Sequence, residues 1–586
     1  MASLSARRRI ALPCAGLFIL APWVAAVAQG VPGATPAPHR ATCDGDTVTA
    51  IAIRAHPPAT TDLASETRAA AARVLGVPRR ETIDALVRAY LRLAVGGVCT
   101  ERDRRESERL LRTQPFVAAA VVRALPGPPG YTTLRVDVVD EVRPTAAVQV
   151  RNGTLASVLA GTQNFRGRGL ALTAHAERGF AYRDGFGLRV TQYGVFGLPA
   201  FVALEAGRHP IDGSVLAFEL TEPYLTDLQR RAFHSSASLL SGYETLRRPE
   251  GGDASLFVRR TAYDIGWVTR LRRASGRGTV ALVGAALLGE DVRAGRDLVV
   301  ISDTGRIAVP ANPYADAYPA FATTRVAAIG GLRALQFVTV RGFDALAALQ
   351  DMGVGVQVDV LVGSSLLTPK HRRDAFIAAD LYAGAGDASS FIMARLLGEA
   401  RRVNSTHSWD GLVGSGRLAW YGNASGRRAH QASIELSGMQ HLVFPAQLTF
   451  GDAIGGLPGF SSSPYAGGQR LVTRLEDQSL LRTFGARADV AVSFFAAAGK
   501  LWAGDVPFGR TSPLYASAGV ALLGAFPAGG KRTYRLELAV PLNAERGAAR
   551  YEIRVSASDR THLLWLEPRD VARARTGAVP TSLMTW

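Results

Sequence analysis

From residue 145 onward the chain alternates apolar and polar side chains in segments of about ten residues, and nothing else in it restricts the fold as strongly. Leu216, Phe218 and Leu220 fall on one side, with Ala217, Glu219 and Thr221 on the other. Val354, Val356, Val358, Val360 and Val362 oppose Gln357 and Asp359; Ala432, Ile434 and Leu436 oppose Ser433, Glu435 and Ser437. Tyr534, Leu536, Leu538, Val540 and Leu542 oppose Arg535 and Glu537. A period of two is that of a strand, whose successive side chains point to opposite faces. One face is apolar and the minority face carries charge, which suits lipid outside and a polar lumen inside. A β-sandwich also alternates, but its strands are shorter and its solvent face is more heavily charged. The stretch holds roughly 16 to 20 such segments. Closing them into a barrel removes edges that lipid could not satisfy. The expected fold is an all-β transmembrane barrel of antiparallel strands, preceded by a small α+β domain.

The N-terminus reads as an export signal over residues 1–28. Arg7, Arg8 and Arg9 form a basic region, Ile10 to Ala25 is apolar, and Ala26-Val27-Ala28 is a small-x-small cleavage site. Cys14 lies inside the apolar run. No later stretch reaches the length of about 20 apolar residues that a spanning helix needs. Residues 29–44 form a Pro- and Ala-rich flexible lead. The mature chain keeps Cys43 and Cys99, which an oxidising compartment permits to pair. The net charge of +18 would fit a nucleic-acid partner, but lysine occurs only at 370, 500 and 531. The arginines are spread along the chain without a basic block, so a lumen lining and anionic lipid heads account for them, and nucleic acid is not an expected partner.

Residues 45–144 read as one α+β unit. Val48, Ile51 and Ile53 begin a strand, and Glu66–Leu75 and Glu81–Ala94 have helical spacing, with Gly76, Pro78 and Gly96-Gly97 as breakers. Thr100 caps a third helix over Glu101–Thr113, Asp103 completing a weak capping box. Strands Val117–Arg123 and Thr132–Val142 flank the turn Pro126-Gly127-Pro128-Pro129-Gly130. The run TERDRRESERLLRTQPF at Thr100–Phe116, with later strands ending VDVVDEVRP, resembles a POTRA domain. Asp140, Glu141, Arg143 and Pro144 stand where that family closes its last strand with an acidic residue and Arg-Pro.

The barrel, residues 145–560, carries a second resemblance. Ser157–Leu170, SVLAGTQNFRGRGL, resembles the early turn of the BamA/TamA outer-membrane assembly superfamily, with Asn164, Phe165, Gly167 and Gly169 at the motif positions. Glu222-Pro223-Tyr224-Leu225 resembles that family's polar-Pro-aromatic strand end. The resemblance implies a barrel of about 16 antiparallel strands with one loop folded into its lumen, carrying Arg-Gly-Phe or Arg-Gly-Tyr after a Gly-Gly. Val340-Arg341-Gly342-Phe343 has the literal residues, whereas Gly455-Gly456-Leu457-Pro458-Gly459-Phe460 has the glycine context with proline in place of arginine. The family has five strands after this loop, and five are read after Phe460: Leu471–Gln478, Ala486–Ala497, Tyr515–Leu523, Tyr534–Leu542 and Tyr551–Ser558. The later segment is therefore assigned as the lumen loop and Val340–Phe343 as a strand end.

In the family the loop arginine pairs with carboxylates on the next two strands. Glu476 matches the first acceptor, and Ala497 stands at the second. Arginine and one carboxylate are thus lost together, which avoids an unpaired inward charge. Arg474 shares a face with Glu476 and is positioned to supply the cation. The expectation is a loop inside the lumen held by glycine packing, Phe460 and the Arg474–Glu476 pair. Residues 561–586 form a tail that includes Arg569 to Arg575. It reads as an extension beyond the barrel, or, in the sharper reading, a plug or edge-binding segment.

No hydrolase, zinc-protease, redox or phosphate-loop motif appears, and His407, His430 and His441 lack ligand spacing. No catalytic residue, metal site or cofactor is expected. The resemblance implies insertion or translocation of polypeptides at the bacterial outer membrane, with the POTRA domain in the periplasm and its last strand and neighbouring helix receiving clients. The implied partners are outer-membrane lipid and lipopolysaccharide, unfolded or extended client polypeptides, and periplasmic accessory proteins. The alternatives are a secretion pore for a dedicated exported partner, a passive porin-like barrel, and a barrel-anchored enzyme.

Overall fold

The polypeptide enters the described part of the fold at Cys43, on the edge of a small sheet. The computed structural model describes residues 43–58, 81–142, 144–151, 154–177, 184–208, 213–248, 250, 252–271, 278–302, 305–310, 312–366, 373–423, 426–452, 454–543, 550–559, 566–576 and 583. The export signal, most of the lead and the helix expected at Glu66–Leu75 lie outside the described residues.

Strands β1 (Asp44–His56), β2 (Val98–Thr100), β3 (Val117–Pro126) and β4 (Tyr131–Asp140) form a sheet in the order β2-β1-β4-β3. β1 and β4 are parallel and β3 and β4 antiparallel. Cys43 and Cys99 form a disulfide across the β1–β2 edge, with Cα atoms 4.9 Å apart. The helix Glu101–Thr113 starts as its sequence dictates: the Thr100 hydroxyl accepts from the Asp103 amide at 3.1 Å. Its Leu110 and Leu111 are fully buried with Phe116, Val122, Val136 and Val138. The helix expected at Glu81–Ala94 is only Asp84–Ala89. Thr82 explains the late start, because its hydroxyl donates to Asp140 at 2.5 Å and receives Asn164 at 2.8 Å, committing that residue to tertiary bonds.

The barrel strands follow the alternation closely. The first are β5 (Pro144–Arg151), β6 (Thr154–Phe165), β7 (Leu170–Glu177), β8 (Gly185–Tyr193), β9 (Phe201–Arg208) and β10 (Ser214–Glu222). Then come β11 (Arg231–Leu246), β12 (Ala254–Arg270), β13 (Val280–Ser302), a short hairpin strand β14 (Gly305–Ala308) and β15 (Phe321–Arg341). β16 (Leu349–Ser365), β17 (Asp374–Gly386), β18 (Ser390–Val403), β19 (Trp409–Asn423) and β20 (Arg428–Gln440) lead to the long loop. Within that loop β21 (Leu448–Thr449) pairs with β22 (Ala466–Gly467). β23 (Gln469–Thr483), β24 (Asp489–Trp502), β25 (Tyr515–Ala525), β26 (Arg532–Pro541) and β27 (Glu552–Asp559) finish the wall.

The sheet closes into a barrel. Setting aside β14, β21 and β22, twenty strands among the described residues run through the wall. That is the upper end of the roughly 16 to 20 segments read from the alternation and exceeds the about 16 that the resemblance implies: each alternating segment ahead of the loop folds as its own wall strand, so fifteen strands precede it. The five after it are the five read from the sequence.

Leu216, Leu332, Val362, Leu475, Phe494 and Leu536 are exposed on the outside. The opposite parity carries buried Asp264, Arg325, Asp359, Asp380, Arg395 and Glu476. β5 leaves the N-terminal unit, so the turns after β6, β8, β10, β15 and β25 lie at the mouth nearest that unit. The loop between β20 and β23 belongs to the far mouth, and the tail after β27 starts at the near one. The tail is not a free extension: its short helix Arg569–Ala574 lies against β19 and β20 and meets inward residues of the wall.

Candidate functional site

Two inward Arg-x-Glu pairs form the charged centre of the lumen. Arg474 and Glu476 are two residues apart on β23, and Arg535 and Glu537 two apart on β26. Arg474 reaches Glu476 at 2.9 Å and Glu537 at 3.2 Å; Arg535 reaches Glu476 at 2.6 Å and Glu537 at 2.7 Å. Each guanidinium thus bridges both carboxylates, and the quartet is neutral. Ser493 on β24 donates to Glu476 at 2.5 Å.

Local sequence makes the reach across two intervening strands possible. Gly519 on β25 has no side chain, and a Cβ there would strike the Phe495 ring. Phe495 therefore lies against β25, and the Arg474 and Arg535 guanidinium carbons stand 4.3 and 5.6 Å from its ring centre. Ala497, buried and in register with Arg474, keeps the space above that arginine free of a second charge.

The lumen loop does fold inward. Phe460 is 5% exposed and stacks on Tyr515 of β25, rings 4.5 Å apart, with Phe450, Leu457 and Leu501 in the same cluster. Gly459 takes φ +88, the left-handed conformation that suits glycine, and its amide donates to Glu552 of β27 at 2.9 Å. The Ser461 amide donates to the same carboxylate at 3.3 Å. Gly455 is confined by Arg470, Glu435 and Pro568, and a Cβ on Gly456 would strike the Asp452 and Phe450 carbonyls. Leu457 and Pro458 are buried. Arg247, just past β11, donates to the carbonyls of Ser461 and Ser463, binding the loop to another part of the wall.

The structure places the loop against inward residues of β25 and β27, and Arg474 and Glu476 on one inward face of β23. The described anchors of the loop, however, are Glu552, Arg247 and Arg470. The bonds of Arg474 and Glu476 run to Arg535, Glu537 and Ser493. Arg535 and Glu537 were legible as an inward pair but not as partners of β23. Val340–Phe343 is a strand end, with Phe343 buried in the near-mouth turn after β15.

The early-barrel turn has a different task. Asn164 accepts from the Gly169 amide at 2.7 Å and donates to Thr82, while the Ile83 amide donates to the Gly167 carbonyl at 3.0 Å. Gly169 and Gly194, both at positive φ, lie under Leu86, and Cβ atoms there would come within 2.9 and 2.6 Å of its methyls. Phe165 closes the turn by pairing with Leu170. The motif is therefore the seat of the N-terminal unit.

The helix Glu101–Thr113 completes that seat. Arg109 donates to the Leu225 carbonyl, Arg112 pairs with Asp351 at 2.7 Å, and Lys531 donates to the carbonyls of Arg112 and Gln114 at 2.5 and 2.6 Å. Burial pushes the Glu106 carboxyl up, but Arg109, a hydrogen bond from Thr226 and the charge of Arg333 outweigh it and hold the group below the ordinary carboxylate range.

No family model and no curated protein matches the chain. Among solved structures, CdiB from Escherichia coli is similar at 10% identity and TM-score 0.46, covering 88% of this chain and 76% of its own. BamA from Haemophilus ducreyi lacking POTRA domains 1–3 gives 12% identity and TM-score 0.37, covering 88% and 84%. The siderophore receptor PiuA from Acinetobacter baumannii gives 9% and 0.32, covering 72% and 76%. Likenesses this distant do not separate one class of large barrel from another. The fold and site themselves define a transmembrane β-barrel with an inward loop and an α+β unit docked across one mouth.

Proposed function

We propose that the chain is an outer-membrane barrel of the BamA/TamA type that inserts or translocates polypeptides, with residues 45–144 as a periplasmic POTRA domain. The observation that carries this is positional: the Gly-Gly-x-x-Gly-Phe loop enters the lumen immediately before the last five strands, while the N-terminal unit docks on the early-barrel motif. On this reading, loop and quartet hold the last strands in register, and the N-terminal unit delivers extended clients to the near mouth. Client docking by the last strand of the unit is corrected by the sheet order: β4 lies between β1 and β3, with both edges paired. Among the described residues β3 has an open edge along its length, where β-augmentation would add a strand. Arg104 and Glu108 already bond the Val122 carbonyl and amide, so the edge would be offered beyond that residue. Lipid and lipopolysaccharide would face the outer apolar band, and periplasmic accessory proteins would bind the N-terminal unit. The reading needs no cofactor and no covalent chemistry.

Depletion of the protein followed by a census of outer-membrane and surface proteins tests it. Insertion predicts loss of several other barrels, and unchanged levels of every outer-membrane and surface polypeptide would refute polypeptide handling altogether. The secretion-pore reading keeps one supporting observation, a lumen occupied by the chain's own tail, and predicts loss of a single exported polypeptide.

A further inference from the structure

After Asp559 at the near mouth, the described tail residues 566–576 run inside the barrel. Asp570 meets Arg470 of β23 at 2.5 Å and accepts from the Thr449 amide, while its own amide donates to Asp452 of the lumen loop at 3.1 Å. Val571 and Ala574 are buried with Phe450, Leu457 and Phe460. Arg573 pairs with Glu244 of β11 at 3.1 Å, and Arg260 of β12 donates to the carbonyls of Arg573 and Arg575. The Thr576 amide donates to Glu399 of β18 at 2.5 Å, and Arg575 stands 3.7 Å from the same carboxylate. Leu583 is back at the near mouth, its carbonyl accepting from the Tyr224 amide at 2.8 Å.

In wall order β11 and β12 are the seventh and eighth strands, β18 the thirteenth and β23 the sixteenth of twenty. The tail therefore bridges nearly opposite sides of the lumen. Part of this seat is loosely matched. Arg575 Nη1 donates to Glu567 of the tail itself at 3.0 Å, whereas towards the wall its Nε meets Glu399 Oε2 only as an ion pair at 3.7 Å, without a hydrogen bond. A buried ion pair held that far apart repays little of its desolvation, which suits an occupant that can leave.

We propose that residues 566–576 are a tethered plug, and that the tract holding them is a polypeptide-binding track with cationic points at Arg470 and Arg260 and anionic points at Glu244 and Glu399. The partner that fits is a segment able to take a helical turn, with an acidic residue followed, three and five positions on, by arginines. Such a segment would take the tract only when the tail vacates it. The inference rests on the polypeptide-handling reading, but its test measures ion flow and can fail independently of the depletion census.

The test is planar-bilayer conductance of the full chain, comparing the natural protein with Asp570→Ala/Arg575→Ala, which leaves every wall residue intact. Folding of both is checked by heat-modifiable migration and by retention of the disulfide. A several-fold rise in mean conductance is expected for the variant. A synthetic peptide of residues 566–576, added on the side of the N-terminal unit, should reverse that rise, and the same peptide with Asp570→Arg should not. Should the double variant fail to fold, Arg573→Ala in the full chain is measured instead, with the same rise expected and the same peptides applied. Unchanged conductance in a folded variant would assign closure to the loop and overturn the proposal. Equal block by both peptides would overturn the charge-patterned track.

Discussion

Glu476→Gln puts the heaviest load on the lumen quartet. The carboxylate receives Arg474 at 2.9 Å, Arg535 at 2.6 Å and the Ser493 hydroxyl at 2.5 Å, and it is buried. Removing its charge leaves two guanidiniums sharing Glu537, with net charge +1 in place of zero. Breaking one partner out of a buried ionic cluster costs about 3–5 kcal/mol, because the charge left behind stays desolvated. Partial exposure of Arg474, 25% at its side chain, puts the expectation at the lower end, about 3 kcal/mol. Guanidinium unfolding of the vesicle-embedded barrel, followed by tryptophan fluorescence, gives the difference. The double variant Glu476→Gln/Arg535→Gln restores neutrality and should recover part of the loss. A single-variant loss below about 1 kcal/mol, the range of exposed pairs, would refute the reasoning.

Gly194→Ala would place a methyl within 2.6 Å of Leu86 at φ +68, and should loosen the N-terminal unit by about 1–3 kcal/mol, seen as faster proteolysis between that unit and the barrel. Glu552→Ala removes the acceptor shared by the Gly459 and Ser461 amides and should cost about 1–3 kcal/mol, with those amides exchanging hydrogen faster. Docking should weaken in acid: the Glu106 carboxyl lies below its ordinary range when docked, so its contribution is full above that range and is lost as pH falls through the lowered value. Proteolysis with an acid-stable protease across that interval follows the release, and a Glu106→Gln variant should show a flatter profile.

The barrel was legible because a period of two survives tertiary context when one side faces lipid: Val354 to Val362 and Tyr534 to Val540 point as the alternation placed them. The lumen loop was legible by counting, since Gly455–Phe460 precedes five strands and Val340–Phe343 precedes ten. What escaped depends on register between distant strands. Arg535 and Glu537 were visibly inward, but only the β23–β26 spacing, with Gly519 and Phe495 between, shows that they complete the Arg474–Glu476 pair. The tail escaped for another reason: residues 566–576 have no period that distinguishes a free extension from a segment held by Arg470, Glu244 and Glu399. The shortened helix at Asp84 has the same kind of cause, a Thr82 hydroxyl claimed by Asp140 and Asn164 rather than by a local cap.

The claim that this barrel handles polypeptides is tested most directly by reconstitution. The full chain is placed in lipid vesicles, a urea-denatured barrel client is diluted in, and protease-protected, heat-modifiable client is followed over time. The account predicts faster insertion than into empty vesicles, with the gain reduced by Gly194→Ala, which weakens the seat of the N-terminal unit. Insertion at the rate of empty vesicles, together with no passage of client into the lumen of the vesicles, would contradict it.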